Sequence, residues 1–201
     1  MAGVTRRVVV VMLVPVPWSP PGVDRVAWRT AMAEDVVDLL ARLAQAEAAI
    51  AAAPGDRALA EEIAWPGMHI YEIPAPTVLP VLRAAAEDGF DQAAVIAADA
   101  PDVPGMTLGK LLRPLDGKAV AVAAGGPAGG LFGVATSLPA PEWLADHDLD
   151  QGSAPALRKT APSPGEVTST PQWRRLRGPA DLATLDPALE GWENTRALLG
   201  G

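Results

Sequence analysis

The hydrophobic residues of this chain follow two recurring patterns. Short unbroken apolar runs, rich in valine and alanine and bounded by proline, glycine or acidic residues, are typical of buried strands. They predict strands at residues 7–14, 68–73, 92–99, 118–126 and 129–137. Elsewhere the apolar residues recur every three or four positions, which is the period of an amphipathic helix. This second pattern predicts helices at residues 24–43, 56–64, 77–89 and 105–115.

Residues 46–54, AEAAIAAAP, fit either pattern. They could prolong the first helix, but the Pro-Gly pair behind them favours a short strand near residues 47–53. Strands separated by helices predict a mixed but mostly parallel sheet with helices on both faces. The glycine-rich link within residues 118–137 predicts one antiparallel pair. We therefore expect a single three-layer α/β domain over residues 1–201.

Two later segments carry weaker patterns. Residues 123–180 are rich in proline, glycine and serine, which predicts long loops. A helical tail is expected at about residues 179–200. Its last part, EGWENTRALLG, is amphipathic and either packs back on the domain or forms the contact of a homodimer.

Composition narrows the function classes. The chain is 49% hydrophobic and 20% charged, as expected of a folded protein with a sizeable core. Its net charge of −8 argues against a general nucleic-acid surface and against binding to anionic membranes. The absence of cysteine excludes disulfides, thiolate chemistry and cysteine-ligated zinc.

The start of the chain has the outline of a secretion signal. Arg6 and Arg7 precede the apolar run VVVVMLV. That run is short and β-branched, and the proline-rich loop after it offers no small-residue cleavage site, so a buried first strand is the better interpretation. No other apolar run approaches the ~20 residues that span a bilayer. We expect a cytoplasmic protein.

Asp99 and Asp102 stand where an apolar strand meets a rigid turn, in AVIAADAPDVP at residues 94–104. Ligands of open α/β sheets bind outside the carboxyl ends of the strands. Two carboxylates three positions apart at such an end suit a hard divalent cation such as Mg²⁺. In the alternative interpretation Asp99 caps the following turn and Asp102 is a solvated loop acid.

Three other segments have two interpretations each. Asp146-His147-Asp148 and Asp150 could bind a metal, but a solvated loop is favoured because adjacent residues do not face one way. The stretch AAGGPAGG at residues 123–130 could bring backbone close to a sugar or base, or could simply link two strands. The basic stretch WRRLR at residues 173–177 could be a charged edge strand.

The acidic loop AADAPDVP resembles that of glycosyltransferase-A-type nucleotide-diphospho-sugar transferases and nucleotidyltransferases. Within this group, the chain most resembles a bacterial branch of selenodomain-associated, uncharacterised glycosyltransferases. It extends through most of the chain, including the proline loop, AEDVVDLLARL at 33–43, the Gly-Gly strand and PADL at 179–182. It implies the glycosyltransferase-A fold and transfer of a nucleotidyl group, or of a sugar from a nucleotide-sugar. Asp99 and Asp102 would then be catalytic and hold Mg²⁺ or Mn²⁺.

The resemblance also implies a nucleotide or nucleotide-sugar pocket at the end of the first strand. The residues that it places at the phosphates and sugar are Pro21, Gly22, Arg25, Gly129 and Gly130. Arg175 and Arg177, which depart from the branch, are also expected to bind phosphate because of their charge. A guanidinium can bind phosphate oxygens bidentately. For residues 24–25, an ordinary helix start capped by Asp24 is the alternative.

The chain departs from the branch at three places. Val26 and Ala27 stand where the branch has threonine and arginine, and Gly126-Pro127-Ala128 stands where it has acids. Residues 175–178, RLRG, replace an Asp-x-Asp. Two hypotheses follow. Either Arg174, Arg175 or Arg177 neutralises phosphate with little or no metal, or the site has decayed and the protein is a ligand-binding or protein-interaction module.

Overall fold

The computed structural model describes residues 5–127 and 129–200. Residues 1–4, 128 and 201 of the predicted domain lie outside the described residues. The strands are β1 (Arg7–Met12), β2 (Glu47–Ala52), β3 (His69–Glu72), β4 (Gln92–Ala97), β5 (Val120–Ala124), β6 (Leu131–Ser137) and β7 (Val167–Thr170). The α-helices are α1 (Arg25–Ala41), α2 (Arg57–Ile63), α3 (Val78–Glu87), α4 (Gly105–Leu112), α5 (Ala154–Thr160), α6 (Pro179–Leu182) and α7 (Glu193–Leu198). Short 3₁₀ turns occupy Pro54–Asp56, Arg113–Asp116 and Pro164–Glu166.

The described strands form one mixed sheet in the order β3-β2-β1-β4-β6-β5-β7. Helical crossovers make β1 parallel to β2 and β4, and β2 parallel to β3. Strand β6 runs antiparallel to both β4 and β5, because only a short glycine-rich loop separates β5 from β6. Strand β7 is parallel to β5. The predicted mostly parallel sheet with one antiparallel partner is confirmed.

Helices cover both faces of the sheet because its central strands are apolar on both sides. In β1, Val8, Val10 and Met12 belong to the core layer that includes α3. The alternate residues Val9, Val11 and Leu13 belong to the opposite layer, with α1 and α4. This arrangement is the expected three-layer αβα fold.

A third apolar cluster holds the C-terminal segment against α1. Trp28, Met32 and Leu176 are fully buried in it, and Trp18 and Leu198 pack on them. Trp18 meets Trp28 edge to face, with ring centroids 6.3 Å apart. The tail packs back on its own domain, and its part in a homodimer stays a prediction.

Asp35 of α1 fixes the start of α7. Its carboxylate accepts hydrogen bonds from the backbone N–H groups of Asn194, at 3.0 Å, and Thr195, at 2.8 Å. Two donors at the first turn of α7 thereby gain a partner that the helix cannot supply.

The long loops predicted for residues 123–180 are present, together with two elements that were not predicted. Residues 123–180 contain α5 and β7 as well as loops; β7 escapes a pattern search because its sequence, VTST, has one buried residue and no apolar alternation. Residues 173–177 are not an edge strand: they have no strand geometry, and Arg175 and Leu176 are buried. The segment crosses the ends of other strands instead. Among the described helices, none is both long and apolar enough to cross a membrane.

Candidate active site

Loops from distant parts of the chain meet at the carboxyl edge of the sheet. Asp99 follows β4, the glycine-rich loop follows β5, and residues 171–177 follow β7. Since β6 is antiparallel, its first residues lie at the same edge. The charged side chains assembled there, called the carboxylate–arginine cluster below, are Asp99, Asp102, Asp150, Arg174, Arg175 and Arg177.

Asp99 and Arg175 form a buried two-pronged ion pair. Arg175 donates from Nε to Oδ1 at 2.6 Å and from Nη2 to Oδ2 at 2.9 Å. Arg177 Nη1 also donates to Oδ2, at 3.2 Å. The side chains of Asp99 and Arg175 are 0% and 1% exposed, so neither can exchange its partner for water.

Asp102 is bound in the same way by the neighbouring residues of the late segment. Trp173 Nε1 donates to Oδ1 at 3.1 Å, and Arg174 Nη2 donates to Oδ2. The guanidinium of Arg174 also lies over the Trp173 ring, 4.8 Å from its centroid. Burial raises the pKa of Asp102, although Arg174 and Trp173 oppose the rise.

Asp150 completes the cluster on its solvent side. Arg177 donates to both oxygens of Asp150 at 2.8 Å, and Arg175 Nη2 lies 2.8 Å from Oδ1. The Asp150 side chain is 36% exposed, against 22% for Arg177. Burial lowers the pKa of Arg175, but the charges of Asp99 and Asp150 outweigh burial, and the pKa is raised overall.

Backbone hydrogen bonds set the position of the arginines. Trp173 N donates to the Ala124 carbonyl at the end of β5, at 3.0 Å. Leu176 N donates to the Asp99 carbonyl, at 2.7 Å. The arginine-bearing segment is therefore fastened to two strand ends, and Arg175 and Arg177 flank one of those bonds.

The glycine-rich loop packs directly against the cluster. Gly125 N bonds to the Gly130 carbonyl at 3.0 Å, and a Cβ on Gly125 would lie 3.2 Å from Arg175 Cδ. Gly130 has φ 72°, and a Cβ there would lie 2.6 Å from the Leu149 carbonyl. Gly129 has φ 84°. Glycine is required here for backbone conformation and close approach.

The first loop lies next to the same segment. Pro21 and Gly22 form a tight turn in which Val23 N bonds to the Pro20 carbonyl at 3.0 Å and Gly22 has φ 82°. Asp24 then caps α1 by accepting from Ala27 N at 2.9 Å, as the alternative interpretation expected. Arg25 is exposed at the first turn. Its role as a phosphate ligand stays a prediction.

The carboxylates do not fit a divalent metal in this arrangement. Both oxygens of Asp99 and both of Asp102 already accept hydrogen bonds. The cluster balances three carboxylates with three guanidiniums. Among the described residues, no group of three or more histidine, aspartate or glutamate side chains is placed to hold an ion. Binding of Mg²⁺ or Mn²⁺ by Asp99 and Asp102 requires Arg174 and Arg175 to move away, and it stays a prediction.

The structure thus brings Asp99, Asp102, Arg175 and Arg177 together beside Gly129 and Gly130. Sequence reasoning missed the part of Asp150, which was assigned to a solvated acidic loop. Its neighbour Asp146 is structural: it accepts from Thr77 Oγ1 at 2.8 Å and from Leu79 N at 2.9 Å at the start of α3. The sequence did contain a signal for Asp150. Residues 174–177 carry three arginines, whereas Asp99 and Asp102 are only two acids, so a third carboxylate was needed to balance them.

Comparisons with known proteins find similarity in structure only. No protein-family model and no curated protein matches the chain. A Desulfovibrio desulfuricans protein assigned to the nucleotide-diphospho-sugar transferases has a TM-score of 0.64 at 18% identity, over 98% of this chain and 97% of that chain. A 4-diphosphocytidyl-2C-methyl-D-erythritol synthase from Anaerococcus prevotii has a TM-score of 0.62 at 9% identity, over 97% and 96%.

A third similar structure contains a metal. It is a Mycobacterium tuberculosis protein in complex with manganese, with a TM-score of 0.55 at 14% identity, over 99% of this chain and 100% of that chain. Similarity at such identities concerns the fold, and each match covers nearly the whole of both chains. The chain has the glycosyltransferase-A-type fold of the nucleotide-diphospho-sugar transferases.

Proposed function

We propose that this protein is a nucleotide- or nucleotide-sugar-dependent transferase that holds the phosphates of its donor at the carboxyl edge of the sheet. The observation that carries the proposal is the buried pair of Asp99 and Arg175 at that edge. A buried ion pair adds little stability over an apolar pair of similar size. Charges buried at the ligand-binding edge of this fold are therefore better explained by a role in binding a charged substrate.

The arginines supply the phosphate-binding groups. The side chains of Arg174 and Arg177 are 18% and 22% exposed, so part of each reaches solvent, whereas Arg175 is buried. Asp99 holds Arg175 and Arg177 in position. Arg25, at the positive end of α1, adds a further cation.

Asp150 occupies the place of an anionic ligand in this proposal. Its carboxylate accepts hydrogen bonds from Arg177 and lies within ion-pair distance of Arg175. It is also the most exposed carboxylate of the cluster. A donor phosphate that displaces it would inherit a preformed set of guanidinium donors.

The chemistry needs little more than positioned cations. In nucleotidyl transfer, an acceptor oxygen bonds to the α-phosphorus as the bond to the pyrophosphate oxygen breaks. In glycosyl transfer, the sugar carbon leaves the diphosphate for the acceptor. Negative charge develops on the departing phosphate in both cases, and preorganised guanidiniums stabilise it. These steps are routed through Arg174 and Arg177, since the carboxylates do not fit a metal as they stand.

A second function is favoured by the same cluster. All three carboxylates have cationic partners already, and the acids that the family carries at residues 175–178 are absent. A catalytically degenerate member of this fold, acting as a ligand-binding or protein-interaction module, would look the same. Turnover separates it from the transferase.

The test is a thermal-shift panel of nucleoside triphosphates, nucleoside diphosphates and nucleotide-sugars, each with EDTA, Mg²⁺ or Mn²⁺. A ligand at a hundredfold over its Kd stabilises by ~2.7 kcal/mol. We expect a shift in EDTA that increases in Asp150→Asn, which frees the guanidiniums, and decreases in Arg177→Gln. Arg83→Gln, an exposed cation on α3, is the matched control.

Each outcome selects one hypothesis. A metal-dependent shift that disappears in Asp99→Asn would restore the metal site at Asp99 and Asp102. Binding without transfer to any acceptor would favour the non-catalytic module. No shift with any nucleotide, in wild type or Asp150→Asn, rejects the nucleotide-dependent transferase and leaves the protein-interaction module. Light scattering during the same work tests the predicted homodimer.

A further inference from the structure

A cavity of about 640 Å³ lies on the sheet face that α1 and α4 cover. It opens between the end of α1 with its following loop and the helix α4. Its volume falls in the range of small-molecule sites, roughly 300–1,000 Å³. The residues at its cationic rim are Arg7, Arg42, Lys110 and Arg113.

This cavity is separate from the carboxylate–arginine cluster. Arg7 pairs with Gln92 at the first residues of β1 and β4, whereas Met12 pairs with Ala97 next to the carboxyl edge. At ~3.3 Å per strand residue, the rim at Arg7 lies about 17 Å from that edge. The phosphates of one nucleotide therefore cannot contact both the cavity rim and the carboxylate–arginine cluster.

The rim is positive in an acidic protein. Arg42, Lys110 and Arg113 are exposed, and in the part of the chain that the structure describes none of them has an ion pair. The rim acid Asp116 is paired with Arg7 at 3.3 Å. Since the whole chain carries a net charge of −8, unpaired cations around one cavity favour an anion there.

The floor of the cavity is apolar. Its lining includes the buried side chains of Val9, Leu108 and Leu112, the half-buried Leu43, and Met106, which is 68% exposed. An inorganic anion would leave these surfaces without contacts. An apolar body attached to the anion would cover the exposed apolar surface of Leu43 and Met106.

We propose that this cavity binds a small amphipathic anion, with its apolar body on the floor and its phosphate or carboxylate at Arg42, Lys110 and Arg113. The separation of apolar base and cationic rim matches the two ends of such a molecule. The proposal is independent of any chemistry at the carboxyl edge.

Gly109 offers a position at which the cavity can be blocked. It lines the cavity within α4, and a Cβ built on it meets nothing within 4 Å. Gly109→Phe would therefore add a ring at the cavity lining without a clash at its Cβ. Gly109→Ala adds one carbon at the same position and serves as the matched control.

The experiment is isothermal titration calorimetry at low salt with octyl phosphate below its micelle concentration. We expect one octyl phosphate to bind per chain. Octyl glucoside and inorganic phosphate should each bind at least about tenfold more weakly than octyl phosphate. Gly109→Ala should bind like wild type, and Gly109→Phe should not bind. The variant Arg42→Gln/Lys110→Gln/Arg113→Gln should lose about tenfold or more in affinity, while Arg83→Gln loses nothing.

Several results would overturn the proposal. Unchanged affinity in Gly109→Phe that is shown by circular dichroism to be folded would place the ligand elsewhere. If Gly109→Phe failed to fold, the triple charge variant, all of whose altered side chains are exposed, would decide alone. Equal binding of octyl glucoside or inorganic phosphate would contradict an amphipathic anion. Phosphatidylglycerol vesicles bound equally by wild type and Gly109→Phe would indicate a surface patch instead of a cavity.

Discussion

Arg175 joins Asp99 through two parallel hydrogen bonds, and the two residues are 76 positions apart in the sequence. Arg177 shares the same carboxylate, at 3.2 Å. Arg175 also donates to the Leu131 carbonyl of β6, at 3.2 Å, and the pair is linked to partly exposed groups through Arg177 and Asp150. Its energetics and its chemistry are therefore open to separate tests.

Removing Arg175 should be costly. Arg175→Met leaves Asp99 buried with only the longer bond to Arg177, and loss of one partner of a buried pair costs about 3–5 kcal/mol. Adding Asp99→Asn should recover most of the loss, because the unpaired charge disappears. Urea denaturation of both variants measures this, with Arg83→Gln expected within about 0.5 kcal/mol of wild type. Equal stability of the single and double variants would contradict it.

Freeing the carboxylates should create metal affinity. In wild type without nucleotide, Mn²⁺ should leave the melting temperature unchanged, because Arg174 and Arg175 hold the carboxylate oxygens. Arg174→Gln/Arg175→Gln removes both cations and leaves two acids at one strand end. We expect Mn²⁺ to raise the melting temperature of this variant by several degrees, and the effect to disappear when Asp99→Asn is added. A Mn²⁺ shift already present in wild type would mean that the ion displaces the guanidiniums.

Asp35 should make stability fall as pH rises. Burial raises its folded-state pKa to about 6 from 3.8, although the hydrogen bonds from Thr195 and Asn194 oppose the rise. The folded state therefore holds this proton more tightly than the unfolded state does. Asp35 therefore adds to the free energy of unfolding below about pH 4, and this addition is lost between about pH 4 and 6. Its total is about 3 kcal/mol, at ~1.36 kcal/mol per pKa unit.

Asp35→Asn isolates that contribution. Its amide cannot titrate but retains an oxygen for the N–H groups of α7. The difference in unfolding free energy between wild type and Asp35→Asn, measured in urea from pH 4 to 7, should change up to about pH 6 and then stay constant. A difference independent of pH would show that Asp35 does not titrate in this range.

Two glycine substitutions should have opposite signs. A Cβ on Gly133 of β6 would lie 2.9 Å from Ile96 Cγ2 and 3.0 Å from the Val95 carbonyl, so Gly133→Ala should cost about 1–3 kcal/mol. Gly109 lies in α4 with open space at its Cβ, so Gly109→Ala should stabilise by about 0.8–1 kcal/mol. Chemical denaturation of both variants checks the two signs. Stabilisation by Gly133→Ala would show that the contact between β4 and β6 yields easily.

The parts of the fold that follow from the sequence are those with a local signal. Strands β1 and β4 are buried on both faces, so their unbroken apolar runs identify them. Strand β7 has no such signal, because only Val167 in it is buried and its position depends on pairing with β5.

The candidate site was predictable only in part for the same reason. Asp99 and Asp102 follow a recognisable strand and turn, so their place at the carboxyl edge could be inferred. Their partners could not be inferred, since Arg174 and Arg175 reach them from 72 and 76 positions away. A charge that looks like a metal ligand in isolation can be one half of an ion pair whose other half no local pattern reveals.

The late position of residues 173–177 has a consequence for synthesis of the chain. The ribosome releases Asp99 and Asp102 long before the arginines that neutralise them exist, and the third apolar cluster likewise waits for Leu176. Until then the nascent chain holds two uncompensated acids at a strand end that can be neither buried nor paired. Closure of this edge therefore depends on contacts of high contact order that form late in synthesis, and truncated products that stop before Trp173 should be recognisable to proteases by their open edge.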